Sequence, residues 1–256
     1  MRRNYFRKAR FPWTVRGVLL SFFLLLTENV SVTAGPPFLT DDPEPVGFRN
    51  WEYYLSSMST FRPHNWSGTA PHAEVNYGVI PDVQIHLLLP MNYTYVPGES
   101  ARFGYSSTEI GIKYRFIHET DNRLQAGIFP IIELPTIKNQ AFGNGRTQVY
   151  LPVWVQKSWG KLTTYGGAGL WFNPGAGNRN WLFSGWEVQY DFTPHLTLGS
   201  EIYYHTADTQ TDRQGTGFNT GAIININENI HIITSAGHSI TGENYFSSYL
   251  GLLITI

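Results

Sequence analysis

The stretch His72-Ala73-Glu74-Val75-Asn76-Tyr77-Gly78-Val79-Ile80-Pro81-Asp82-Val83-Gln84-Ile85-His86-Leu87-Leu88-Leu89-Pro90-Met91-Asn92-Tyr93 decides the fold. Side chains of a β-strand point alternately to its two faces. Before the short connection Ile80-Pro81-Asp82, Ala73, Val75, Tyr77 and Val79 share one face; His72, Glu74, Asn76 and Gly78 share the other. After it, Val83, Ile85, Leu87, Leu89, Met91 and Tyr93 oppose Gln84, His86, Leu88, Pro90 and Asn92. Two strands, each apolar on one side, are thus joined by a tight turn.

The same unit recurs along the chain. Ile110, Ile112, Tyr114 and Phe116 oppose Glu109, Gly111, Lys113 and Arg115. Val149, Leu151, Val153 and Val155 oppose Gln148, Tyr150, Pro152, Trp154 and Gln156. Leu182, Trp186, Val188, Tyr190 and Phe192 oppose Glu187, Gln189 and Asp191, and Leu196, Leu198, Ile202 and Tyr204 oppose Thr197, Glu201, Tyr203 and His205. Over 164–171 neither face is clearly polar.

After residue 48 the chain reads as about twelve such strands, with connections that alternate long and short. The short ones are Ile80–Asp82, His118–Arg123, Ser158–Lys161, Phe192–His195 and Asn227–Asn229. The long ones are Arg62–Ala70, Val96–Tyr105, Thr136–Arg146, Asn173–Asn180, Ala207–Thr216 and Ile240–Asn244. Tight turns at one end and longer loops at the other characterise barrels of the Gram-negative outer membrane. The expected fold class is therefore all-β: a transmembrane up-and-down antiparallel β-barrel of about twelve strands. A secreted soluble barrel would also alternate. The apolar faces, about five positions tall, and the aromatic residues near strand ends favour the membrane form. The last strand ends at Ile256, where such barrels typically end in an aromatic residue.

The ends set the domain boundaries. Arg2, Arg3, Arg7, Lys8, Arg10 and Arg16 precede an apolar run, Gly17–Leu26, and a polar stretch that ends Val32-Thr33-Ala34. This is the pattern of a signal peptide over 1–34. The run of about ten residues is short against the about 20 of a spanning helix, which disfavours a retained anchor. A Pro-rich segment, 35–48, follows as a possible plug, and the barrel occupies 49–256. Of 18 basic and 19 acidic residues, residues 1–34 hold six basic ones and Glu28; 12 basic and 18 acidic residues remain, net −6. That charge argues against a nucleic-acid partner. The expected partners are the lipid bilayer, the outer-membrane assembly machinery and a small-molecule solute. Aromatic residues make up 15% of the chain and charged ones 14%, which suits a barrel that shows apolar groups to lipid; cysteine is absent.

Four motifs carry a resemblance. They are Gly35-Pro36-Pro37-Phe38-Leu39-Thr40-Asp41-Asp42-Pro43-Glu44-Pro45-Val46, then Glu74 to His86, Glu109 to Phe116, and Leu151 to Ser158. In this order the chain resembles a group of outer-membrane barrel proteins named for the meta-pathway of phenol degradation. The resemblance implies a barrel and a transporter. It does not imply phenol chemistry.

The polar phase collects the candidate lumen-lining and solute-binding residues: Glu52, Glu74, Gln84, His86, Glu109, Lys113, Arg115, Glu133, Gln148, Glu187, Gln189, Glu201 and His205. Buried carboxylates must pair or take up protons. Two readings stand: an ion-pair network that fills a narrow barrel, or a charged constriction that selects solutes. Asp41, Asp42 and Glu44 are within reach of Lys113 or Arg115 if 35–48 enters the lumen, and Pro36, Pro37, Pro43 and Pro45 keep that segment out of the ladder. The alternative is a loose periplasmic tail.

A hydrolase reading would draw on Ser200, Glu201 and His205, or on Ser235, His238 and Ser239, but proximity in sequence is not triad geometry. The eight His lack a tight ligand spacing, and Gly143–Gly145 and Gly175–Gly177 are not followed by a helix, as a phosphate cradle requires. No enzyme, catalytic residue, metal or cofactor is expected. The functional expectation is an outer-membrane channel or transporter for small, hydrophobic or aromatic solutes; the alternative is a closed structural or surface-binding barrel.

Overall fold

The computed structural model describes residues 37–136, 142 and 145–256. The signal-peptide expectation and the tip of the Thr136–Arg146 connection lie outside these residues. The β segments are β1 (Trp51–Phe61), β2 (Trp66–Ile80), β3 (Val83–Tyr95), β4 (Arg102–Tyr105), β5 (Thr108–Ile117), β6 (Gln125–Ile128) and β7 (Ile131–Leu134). They continue with β8 (Gln148–Trp159), β9 (Leu162–Phe172), β10 (Trp181–Thr193), β11 (Leu196–His205), β12 (Gly215–Asn225), β13 (Ile230–Thr241) and β14 (Phe246–Thr255). All pair antiparallel with their neighbours, and β1 pairs with β14 from Glu52↔Thr255 to Phe61↔Phe246. The sheet is closed on itself, so it has no free edge.

The 14 segments form 12 strands of the barrel wall. β4 and β5 are one strand broken at Ser106-Ser107, and both pair with β3. β6 and β7 are one strand broken at Phe129-Pro130, and both pair with β8. Each break has a cause in the neighbouring strand. Proline has no N–H to donate to a ladder. The first break faces Pro90 of β3; the second faces Pro152 of β8 and itself holds Pro130, so at each the ladder lacks an N–H donor.

The faces follow the alternation. Leu55, Ile85, Leu87, Leu89, Ile110, Ile112, Leu151, Val153 and Ile202 are exposed on the outside. Glu52, Glu74, Gln84, Lys113, Glu187 and Glu201 are buried inside. This inversion of the soluble pattern is stable only where the outer surface meets lipid. Aromatic clusters sit at both ends of the outer band. Trp51 stacks on Tyr77 at 4.3 Å near the short turns. Trp66 packs against Phe61 and Tyr95 near the longer loops.

The 164–171 ambiguity resolves in β9. Tyr165, Gly167, Gly169 and Trp171 point inward. The two glycines look neutral in sequence because they are seats for rings: a Cβ on Gly169 would lie 2.6 Å from Tyr150 Cζ, and one on Gly167 2.8 Å from the Trp154 ring. Two loops differ from expectation. Val96–Tyr105 shrinks to residues 96–101, because Arg102–Tyr105 pair with Met91–Thr94 as β4. Arg62–Ala70 shrinks to residues 62–65, because Trp66–Thr69 pair with Met58–Phe61 and the irregularity moves to a register shift beside Pro71.

Candidate functional site

Register sorts the inward side chains into rows. One runs Tyr54, Glu74, Leu88, Glu109, Glu133, Gln148 across neighbouring strands. The next runs Glu52, Asn76, His86, Gly111, Ile131, Tyr150, Trp171, Trp181. On the far wall Gln156, Tyr165, Glu187, Glu201 and Asn219 align.

In the first two rows the carboxylates find local partners. Glu74 accepts a bond from Asn76 Nδ2 at 2.8 Å, and His86 Nδ1 lies 3.4 Å from Glu74 Oε1 and 2.8 Å from Asn76 Oδ1. Glu52 accepts from the Tyr54 hydroxyl at 3.0 Å. Glu109 and Glu133 stand opposite each other in register, with Gln148 next to Glu133.

The basic residues turn elsewhere. A single network of Lys113 and Arg115 with Glu74 and Glu109 would satisfy the sequence pattern equally well, but the partners come from residues 41–44 and, for Arg115, also from Asp82 and Gln125. Lys113 Nζ donates to Asp41 Oδ1 at 2.9 Å and lies 3.6 Å from Asp42 Oδ2. It also sits 5.1 Å from the centre of the Phe129 ring, a cation–π contact. Arg115 binds Asp82 Oδ1 through Nε and Nη2 at 2.9 and 2.8 Å, and Glu44 Oε1 through Nη1 at 3.2 Å. Gln125 holds the other oxygen of Glu44.

Residues 37–46 reach the other wall as well. Glu201 accepts three bonds from them: Leu39 N at 2.9 Å, Thr40 N at 2.8 Å and Thr40 Oγ1 at 2.7 Å. Asn219 Nδ2 donates a fourth at 2.6 Å. Val46 N donates to Gln84 Oε1, and Ser235 Oγ donates to the Pro37 carbonyl. Thr40 and Asp42 are 0% exposed. Pro37, Pro43 and Pro45 keep the segment out of any ladder, so the side chains of Glu201 and Gln84 serve as acceptors for its N–H groups in place of a strand.

Glu187 differs from its neighbours. It is 0% exposed, and neither carboxylate oxygen has a hydrogen-bond partner. Gln189 and His205 complete the candidate set at the two ends of this wall. Gln189 faces Gly199, and His205 faces Phe183.

An aromatic wall was not singled out from the sequence. Tyr150 and Trp171 stack at 4.7 Å and 11°, and Trp171 and Trp181 at 5.6 Å and 7°. Phe129, Ile131, Trp154, Phe183 and Tyr203 form a buried cluster with them. The signal was present: Tyr150 and Trp154 share the inward phase. The stack itself requires the register of three strands.

The hydrolase sets are not assembled. Ser200 is exposed on the outer face, bonded to Thr220, while Glu201 points inward. Ser235 is buried inside and His238 is exposed outside. Among the described residues no group of three or more His, Asp or Glu could hold a metal ion.

No protein-family model matches the chain, and no curated protein does. Solved structures do. The COG4313 outer membrane channel from Pseudomonas putida F1 superposes with a TM-score of 0.64 at 16% identity, over 87% of this chain and 100% of that one. The NanC porin gives 0.55 at 8% identity, over 79% and 98%. The KdgM porin gives 0.53 at 9% identity, over 78% and 98%. At these identities the likeness is one of fold.

Proposed function

We propose that the chain is a channel of the bacterial outer membrane that passes small solutes, and that residues 37–46 are its gate. One observation carries this reading: a segment outside the β-ladder bonds to both walls of the barrel, through Glu201 on one side and Lys113 and Arg115 on the other. A permanently closed barrel has no need of a removable segment with its own charge complement. The likeness to an outer membrane channel and to porins supports the same reading. So does the resemblance to the meta-pathway group. The Tyr150–Trp171–Trp181 stack favours planar, aromatic solutes, because rings slide along such a surface by offset stacking. The precursor is cleaved after Ala34 in a Gram-negative host and is inserted by the outer-membrane assembly machinery.

In planar bilayers the mature chain should show discrete current steps. A chain that inserts and never conducts would support the closed structural barrel instead.

The longer loops should face the cell exterior. A cysteine in place of Gln210, in the exposed loop between β11 and β12, should react with an impermeant maleimide on intact cells; one in place of Glu228 should not. Gln210 is preferred to Gly98, whose φ of 91° suits glycine, and Glu228 to Asp82, which binds Arg115. Reversed labelling would invert the assignment.

A further inference from the structure

We propose that the gated lumen holds a binding site for a dipolar solute, with a cationic nitrogen at one end and a carboxylate at the other, which takes the place of residues 39–42. This rests on the channel reading above. The site is defined by what now fills it. Leu39 and Thr40 present N–H and O–H donors to Glu201, and Asp41 presents a carboxylate to Lys113. When the segment leaves, Glu201 loses three of its four donors. Lys113 loses both of its carboxylates, whereas Arg115 retains Asp82.

A cationic nitrogen suits this end better than the neutral N–H and O–H donors that now fill it, because the wall holds no positive charge of its own. Glu187 lies next to Glu201 in register and has no partner on either oxygen. The Tyr165 hydroxyl beside it is also buried without a partner. None of β9 to β12 contains Lys or Arg. Buried charges are stable only when paired. Two carboxylates with no cation on one wall, and on the other an ammonium that has given up its two ion-pair partners, therefore select a solute with the opposite polarity at each end. The segment also sets its length. From the Thr40 nitrogen to the Asp41 carboxyl carbon the covalent path is about six bonds, each about 1.3–1.5 Å. 6-Aminohexanoate has the same path.

The test is block of single-channel current through the full mature chain by 6-aminohexanoate, hexanoate, hexylammonium, hexanamide and glycine. Hexanoate and hexylammonium each lack one charged end, hexanamide lacks both, and glycine is too short to reach both walls. The expected half-blocking concentration of 6-aminohexanoate is at least about tenfold below that of every other probe, the scale of one charge-assisted hydrogen bond. Glu201→Gln should erase its advantage over hexanoate, and Lys113→Met its advantage over hexylammonium. Weaker gating alone would change the current for all probes alike, so the ratio is the readout. Glu187→Gln, which breaks no hydrogen bond, provides the same comparison if Glu201→Gln does not fold. Current that all five probes block equally would overturn the dipolar site while leaving the channel intact. No current under any condition would overturn the channel reading itself.

Discussion

Leu87→Arg should prevent the chain from folding into lipid vesicles, while Glu109→Gln folds as the parent does. Leu87 lies well inside β3, and Glu109 lies near the middle of the adjacent broken strand that β4 and β5 form. Leu87 is exposed on the outer face, between Val75 of β2 and Ile110 of β5. Glu109 lies on the inner face, opposite Glu133. An arginine on the lipid side near mid-membrane costs about 2–4 kcal/mol, and its charge must reach an interface past the apolar band. Removing the Glu109 charge breaks no hydrogen bond and relieves repulsion from Glu133, at the cost of an attraction to His86. The heat-modifiable mobility of the folded barrel on gels reports the outcome. Equal folding of the two variants would mean that the register, or the membrane setting, is wrong.

Lys113→Ala should have the second large effect. It leaves Asp41 and Asp42 inside the lumen without their cation. Breaking a buried pair by removing one partner typically costs about 3–5 kcal/mol, on the order of 10²–10⁴-fold in the equilibrium between docked and released segment. Current at low voltage should therefore rise steeply, and thermal stability in detergent should fall. With one positive charge gone from an acidic lumen, the reversal potential in a salt gradient should move toward cation selectivity. A variant with unchanged conductance, selectivity and stability would remove Lys113 from the gate.

Much of this was legible in the sequence because alternation is a local property. Leu87 and Glu109 fall on opposite faces by counting alone, and so do Lys113 and Ile112. β9 escaped that count: Gly167 and Gly169 carry no polarity, and their role as seats for Trp154 and Tyr150 exists only once β8 is beside them. The partners of Lys113 escaped it in another way. The inward phase offered it Glu74 and Glu109, and the Pro-rich segment offered it Asp41 and Asp42. Which one it meets depends on how far each strand is staggered and on the path of a segment that belongs to no strand. Glu201 is the plainest case. Its phase was readable, but its acceptance of consecutive backbone N–H groups from residues 39 and 40, about 160 positions away in sequence, was not.

The gate is tested most directly by locking it. The chain has no cysteine. Thr40 Cβ lies 3.1 Å from the place a Cβ on Gly185 would take, a shift of a few tenths of an ångström from the about 3.5–4.5 Å of a disulfide. The double variant Thr40→Cys, Gly185→Cys should be recorded in a planar bilayer, first oxidised and then after a reductant is added to the same membrane. The account predicts no current steps while the disulfide holds residue 40 against β10, and discrete steps after reduction. The same conductance before and after reduction would contradict it, because solutes would then pass with residues 37–46 fixed in place.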